Sequence, residues 1–407
     1  MKILLLNQVF YPDVAATSQY LTELATALAQ RGHDVTVVSN RRAYEPPETF
    51  FPARETWRGV RIFRVFSTRF GKGAKWRRAA DFASFIFFCC ARILFLPRQD
   101  AVVALTTPPL ISFIGAWRAK LWRARFCYWV MDMNPDEAIA AGWLQRDSLV
   151  GTILERMSRL SFRRANRIIA LDRFMRDRIV AKGISTKKIS VIPPWSLDSD
   201  VRFDATGREQ FRKEHGWQDK FVVMYAGNHS PVHPLDTLML AAELLRDDPS
   251  IAFCFVGGGS EFKRVRRWAE AWGKAESGKP KAEVLCLPYQ PLNRLAASLS
   301  AADAHVVVMG NGFVGLVHPC KIYNILAVGA PVIYIGPQPS HVTEILDTLG
   351  GGHPQARVQH DESEALAQRI RRLAAGGKDN RRTLPKDGGM PFSKNTVLPE
   401  MIAAIEA

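Results

Sequence analysis

Lys321 lies in the segment of this chain whose residue types and spacing say most about chemistry. The run Gly312–Ile333 reads as a glycine-containing loop, a short helix beginning near Pro319, a stop at Gly329 and a buried strand over Pro331–Gly336. A loop that feeds a helix offers unpaired backbone N–H groups and the positive end of the helix dipole to an anion. A lysine in a first helical turn opposes that dipole, so Lys321 needs a reason to be there. Its charge beside the amides of Gly315, Leu316 and Val317 suits a diphosphate, and hence a nucleotide-linked substrate; the plainer alternative is a surface lysine. Asn324, one turn on, is either a ribose contact or a surface amide.

A second candidate is the loop Gly227-Asn228-His229, which follows the strand Phe221–Tyr225. Its glycine serves a turn in either reading. A loop at the carboxyl end of a strand is also where α/β proteins hold ligands. His229 and His233 extend this candidate.

These residues need elements to position them, and the chain supplies an alternating series. In the first half, Lys2–Asn7, Asp34–Ser39, Val60–Val65, Ala101–Leu105, Phe126–Val130, Arg167–Leu171 and Ser190–Ile192 read as strands. Ser18–Arg31, a stretch near Ser112–Arg123, Ser148–Arg164 and Arg173–Lys182 read as helices between them. A linker is expected over Pro193–Phe211. A second series then runs through the strands Phe221–Tyr225, Ala252–Val256, Val284–Leu287 and Ala304–Val308, alternating with the helices Leu235–Leu245, Glu261–Trp272 and Leu292–Ala301. Lys274–Lys281 is a polar surface loop, Ala375–Lys386 a Gly- and charge-rich stretch, and Val397–Ile405 a last helix. Short strands alternating with helices imply parallel sheets.

Bulk properties agree with two domains, since 407 residues exceed one ordinary core. Hydrophobic content of 47% and charged content of 23% are those of a globular chain and exclude a disordered one. The formal charge of +16 implies an anionic partner, whether nucleic acid, a phosphorylated substrate or anionic lipid. No nucleic-acid motif accompanies it, so no nucleic-acid partner is expected. Cys89, Cys90, Cys127, Cys254, Cys286 and Cys320 have no metal-like spacing and read as reduced core thiols of a cytosolic protein. Met1–Leu6 is too short for a signal-peptide core, and Phe82–Leu96 is too short to span a membrane.

The charge is concentrated in Arg41–Gln99, which holds 13 Lys and Arg against 4 Asp and Glu. A basic cluster at Lys72–Arg78 precedes the aromatic run Phe82–Leu96. That arrangement suits an anionic membrane surface; a buried helix after a solvated basic loop is the alternative.

Taken in order, these motifs resemble the family 4 glycosyltransferases of the GT-B fold over nearly the whole chain. Phe10-Tyr11-Pro12 and Arg31–Val37 are similar to the family's N-terminal pattern, and Ala165–Ala170 with Lys188–Pro193 to the end of its first domain. Tyr225–Asn228 with Leu235–Leu238, Val256–Gly259 and Ala301–Ala304 are similar to its second domain. The resemblance implies two Rossmann-like, doubly wound domains facing across a cleft: residues 1–200 for the acceptor, 201–386 for a nucleotide-sugar, and a terminal helix within 387–407.

It also implies sugar transfer with retained anomeric configuration and neither metal nor cofactor. The departing phosphate would help to deprotonate the acceptor. By the same resemblance Asp132 orients an acceptor hydroxyl or stabilises positive charge on the sugar, although it also reads as a helix-capping carboxylate, with Asp136 the better cap. Ala16 and Thr17 contact donor phosphates, Ser18 being equally an N-cap. Tyr289 lies where relatives hold the base, or is a buried structural tyrosine.

The chain departs from the family pattern in three places. Of two glutamates separated by seven residues, the second position is Asn324 and the first has no acidic match. Gly227–Pro234 lacks the usual Arg and Lys, which leaves Lys321 to carry the diphosphate charge. Pro194-Trp195 replaces an Asn-Gly. The version Pro319–Asn324 resembles a subgroup of cell-surface polysaccharide assembly. The expected activity is therefore transfer from a nucleotide diphosphate sugar, UDP first, to a polyprenyl-diphosphate-linked glycan. The expected place is the cytoplasmic face of the cell membrane, with peripheral contact through 69–97. A non-catalytic assembly subunit and a nucleotide-sugar epimerase are the alternatives.

Overall fold

The structure, a computed structural model, describes residues 1–13, 15–44, 48–71, 75–196, 201–274, 281–349, 353–377 and 392–407. The chain forms two compact units. One comprises Met1–Pro194 with Gly315–His318 and Val397–Ala407; the other comprises Trp195–Val314 with Pro319–Thr396.

The first unit holds the strands β1 (Lys2–Leu6), β2 (Asp34–Asn40), β3 (Arg54–Trp57), β4 (Val60–Val65), β5 (Ala101–Ala104), β6 (Arg125–Trp129), β7 (Arg167–Ala170) and β8 (Ile189–Val191). They make one sheet in the order β3-β4-β2-β1-β5-β6-β7-β8. Every pairing is parallel except that of β3 with β4. Ile3–Leu6 and Ala101–Ala104 are buried along their whole length, because helices cover both faces of a parallel sheet and leave no polar side.

The edge strand β3 has no counterpart in the sequence reading. Trp57 pairs with Val60 across Arg58 and Gly59, whose φ angles of 47° and 81° are both left-handed. That is the two-residue hairpin turn whose twist matches paired strands, made here with arginine where Asn or Asp would signal it. At the other end of the chain, the helix Lys394–Glu406 brings its last residue to the amino end of the first unit's sheet, beside the start of β2. There Glu406 meets His33 Nε2 at 2.7 Å and Arg31 at 3.3 Å.

The second unit has six parallel strands: β9 (Phe221–Asn228), β10 (Ile251–Gly258), β11 (Glu283–Leu287), β12 (Ala304–Val308), β13 (Val332–Ile335) and β14 (Gln355–Val358). Their order is β11-β10-β9-β12-β13-β14. The expected linker Pro193–Phe211 is corrected, because a helix spans Ala205–Glu214. Its cause is long-range. Asp204 caps the helix by accepting from Gly207 N at 2.8 Å. Arg208 and Arg212 clasp the buried carboxylate of Asp303, the Arg212 Nη1 contact being 2.8 Å. The sequence reading also passed over β14 and the helices His341–Thr348 and Ser363–Ala375. Within the expected loops Lys274–Lys281 and Ala375–Lys386, residues 275–280 and 378–386 lie outside the described residues.

Candidate functional site

β9 carries the chemistry of the second unit to its carboxyl end. Phe221–Tyr225 are buried, and the strand then runs through Gly227, whose φ is 139°. Side chains are rarely tolerated at such an angle. The missing side chain also makes room, since a Cβ on Gly227 would lie 2.9 Å from Lys321 Nζ. That nitrogen sits over the Tyr225 ring, 3.5 Å from its centroid, where the charged form would make a cation–π contact. It is buried and has no hydrogen-bond partner among the described residues. Burial pushes the amine well below the ordinary lysine range. Burying such a group costs stability that one ring offsets only in part.

The turn around this amine is pinned from several sides. The Tyr225 hydroxyl donates to the Asn228 carbonyl at 2.7 Å. His229 is fully buried, with Nδ1 3.0 Å from the Gly227 carbonyl oxygen. A carbonyl only accepts, so Nδ1 carries the proton and the unpartnered Nε2 is left as an acceptor. Burial, and then the charge of Lys321, pull this imidazole down to about 4. His233 Nδ1 lies 2.7 Å from the Val308 carbonyl oxygen, and the same two causes push it down to about 3. At the end of β10, Tyr289 packs so closely that a Cβ on Gly258 would stand 3.0 Å from its ring.

The second unit thus brings Gly227, Asn228, His229, Tyr289 and Lys321 around the ends of β9 and β10. Asn324 is half-buried in the seven-residue helix Lys321–Ala327, three residues from Lys321 and so on the same face. Tyr225 was quoted in sequence only as part of a motif. The signal available was an aromatic two residues before a glycine at a strand end.

In the first unit Asp132 lies three residues beyond β6, where burial pushes its carboxyl up to about 6. Two capping alternatives are corrected. Pro135, not Asp136, occupies the cap of the helix Asp136–Ala140, and Asp136 instead pairs with Lys182 at 2.8 Å. Ala15 caps the helix Ala16–Gln30 without a side-chain bond, so Ser18 lies inside the first turn beside Ala16 and Thr17.

Gly315, Leu316 and Val317 belong to the first unit. The Leu316 carbonyl accepts from Met133 N at 2.8 Å, next to Asp132. Gly315 has φ 72°, and a Cβ there would meet the Phe174 carbonyl at 2.7 Å. The segment is anchored by a buried pair missed in the sequence, His318 Nδ1 with Asp172 Oδ2 at 2.8 Å. Asp172 also caps a helix by accepting from Met175 N at 2.8 Å. Its place before a helical run signalled the cap; nothing local signalled a partner 146 residues away.

Two α/β units, each built on a parallel or nearly all-parallel sheet covered by helices, define the class, the GT-B fold. The structure superposes on HepE of Anabaena in complex with UDP-glucose with a TM-score of 0.71, at 16% identity over 100% of this chain and 99% of that one. Sucrose-phosphate synthase from Thermosynechococcus elongatus gives 0.74, at 16% identity over 99% and 98%. Residues 16–195 match the glycosyl transferase 4-like domain, and residues 207–385 match the glycosyl transferases group 1. The chain belongs to this glycosyltransferase family and is a glycosyltransferase. It is 25% identical to the putative colanic acid biosynthesis glycosyl transferase WcaI of Escherichia coli K12, over 93% of this chain and 94% of that one. It is 23% identical to the probable glycosyltransferase WbjE of Pseudomonas aeruginosa, over 63% and 62%.

Proposed function

We propose that this glycosyltransferase moves a sugar, with retention, from a nucleotide diphosphate to a polyprenyl-diphosphate-linked glycan during surface polysaccharide synthesis. UDP is the first base to test. The observation that carries the reading is the buried Lys321 amine, which lies beside the Gly227 turn with no hydrogen-bond partner among the described residues. A diphosphate supplies the anion that would bring the amine back to its charged form, and the bond is strongest where charge accumulates as the phosphate departs. The name of WcaI, with its colanic acid, and the UDP-glucose of the HepE complex support the polysaccharide and the donor.

In this reading Lys321, the Gly227–His229 turn and the Gly315–Val317 amides hold the diphosphate. Asn324 serves the ribose and Tyr289 the base. Ala16 and Thr17 approach the phosphates, and Asp132 orients the acceptor hydroxyl. The leaving phosphate oxygen takes the acceptor's proton, so no separate strong base is needed.

The lipid acceptor puts the enzyme at the cytoplasmic face of the membrane. No helix among the described residues is long and apolar enough to cross one, and contact is made peripherally through 69–97. In that segment Trp76, Phe87, Leu94 and Phe95 are exposed, Phe95 to 80%. Helices do not leave such a face bare in water without a use for it.

Titration calorimetry with UDP and GDP tests the donor site. Saturable binding of UDP is expected, and no heat from either nucleotide at millimolar concentration removes the proposal. Mass-spectrometric screening of nucleotide-sugars against membrane extract then reads out the sugar.

A further inference from the structure

The first unit contains a small cavity of about 60 Å³ between the helices Ile111–Trp122 and Leu149–Arg164. Leu110, Phe113, Leu154 and Met157 form its apolar walls, and Thr106 and Tyr128 lie at the strand ends. Tyr128 belongs to β6, and Asn134 and Pro135, two and three residues beyond Asp132, line the cavity as well. The cavity is therefore at the carboxyl edge of the sheet, close to the candidate acceptor carboxylate.

What leaves this cavity is an apolar strip. Phe113, Trp117 and Leu121 follow one another at intervals of four on one helix face. Trp117 and Leu121 are 39% and 55% exposed. Across the cavity Val150, one turn before Leu154 on the same face, is also exposed. From Phe113 to Leu121 the strip runs about 12 Å. It ends at the aromatic segment of the neighbouring helix, where Arg118 Nη2 donates to the Leu94 carbonyl at 3.4 Å, with Phe95 next in the chain.

We propose that this strip and cavity are a binding track for the prenyl hydrocarbon of the acceptor, running from Leu94 and Phe95 at the end of the helix Lys75–Leu94 to the Asp132 end of the sheet. The inference rests on the lipid-linked acceptor proposed above. Continuity is its first support. The strip joins two places that a lipid-linked substrate must reach at once, the bilayer holding its tail and the strand ends where its sugar reacts. Charge is the second. The helix Ile111–Trp122 carries Arg118 and Lys120 and no acidic residue. The single acid of Leu149–Arg164, Glu155, is taken by Lys182 and Arg159 at 2.9 and 3.0 Å. Lys120, on the helix that carries the strip and close to the Phe113 face, is exposed to an anionic phosphate lipid.

The full chain is titrated with farnesyl phosphate, with inorganic phosphate as the control for the headgroup and UDP in parallel. Wild type is expected to bind farnesyl phosphate more tightly than inorganic phosphate. Trp117→Ser combined with Leu121→Ser, both at exposed positions that do not endanger folding, should weaken farnesyl phosphate about tenfold or more by removing apolar cover. UDP affinity should stay unchanged. Farnesyl phosphate binding that is no better than phosphate, or that survives the double substitution, overturns the track. So does a double variant that loses only anionic vesicle binding, because those side chains would then belong to the bilayer surface. Absent UDP binding with intact farnesyl phosphate binding instead sinks the donor reading and leaves the track standing.

Discussion

Lys321 concentrates the conflict between stability and use. Its amine is enclosed, rests on the Tyr225 ring and has no hydrogen-bond acceptor among the described residues. Lys321→Met keeps the length and removes the buried ionisable group. It is expected to raise stability by about 1–3 kcal/mol while weakening UDP binding about 10- to 100-fold. Thermal melts and calorimetry on the same sample check both signs, and unchanged UDP affinity would take Lys321 out of the site. Asp132 makes a pH prediction. Its folded carboxyl is raised by burial from 3.8 to about 6, so between those values the folded chain binds more protons than the unfolded one. Stability from this group is therefore full below about 4 and is lost as pH rises through about 6. If the carboxylate is the working form, the transfer rate rises over the same limb, and Asp132→Asn removes that limb from the pH–rate profile. His229 acts with the opposite sign. Its neutral, buried form is fully stabilising above about 6.5, and that contribution is lost as pH falls through about 4.

Among the elements, strand ends and their glycines matter more than helix starts. The β9 turn needs Gly227 twice, for a φ of 139° and for the space that Lys321 Nζ occupies. Gly227→Ala is expected to cost about 1–2 kcal/mol of backbone strain and to displace the amine. UDP affinity should then fall further than stability, and a variant that melts early but binds UDP normally would refute that geometry. The helix Ala205–Glu214 is held by a different logic. Asp303 neutralises Arg208 and Arg212 from the start of β12, and Val222 N donates to it at 2.8 Å. Asp303→Asn leaves two largely buried guanidinium groups without a charge partner and should destabilise the second unit by about 3 kcal/mol or more, read as a lowered melting transition. Such a helix was hidden from sequence reading because its stretch, with Pro193, Pro194 and Gly207, has linker composition; the clasp that fixes it lies some ninety residues away.

For the whole molecule the charge of +16 sets the behaviour. With exposed Trp76, Phe87 and Phe95 on one helix and its C-terminal end, the protein is expected to float with anionic vesicles and not with zwitterionic ones. Raising salt from about 0.1 M to 1 M shrinks the Debye length from about 10 Å to 3 Å and should release much of it. Phe87→Ser with Phe95→Ser should abolish flotation in low salt, and unaltered flotation would clear 69–97 of the contact.

The alternation of apolar runs with 3.6-period stretches determined by itself that the chain makes parallel strands and covering helices. Those patterns are local, and burial on both faces leaves them little choice of structure. Gly227 and Lys321 stood out on local grounds too, the glycine as a turn at a strand's carboxyl end and the lysine as a charge that opposes the dipole at a helix start. Only the tertiary structure decided that Lys321 lies against Gly227, nearly a hundred residues away, and over Tyr225. Only it decided that His318 grips Asp172, that Asp303 folds a helix out of linker composition, and that Arg118 reaches the Leu94 carbonyl. Each joins residues whose separation along the chain leaves no periodic trace, and each is settled by which buried charge or apolar surface finds cover when the layers close.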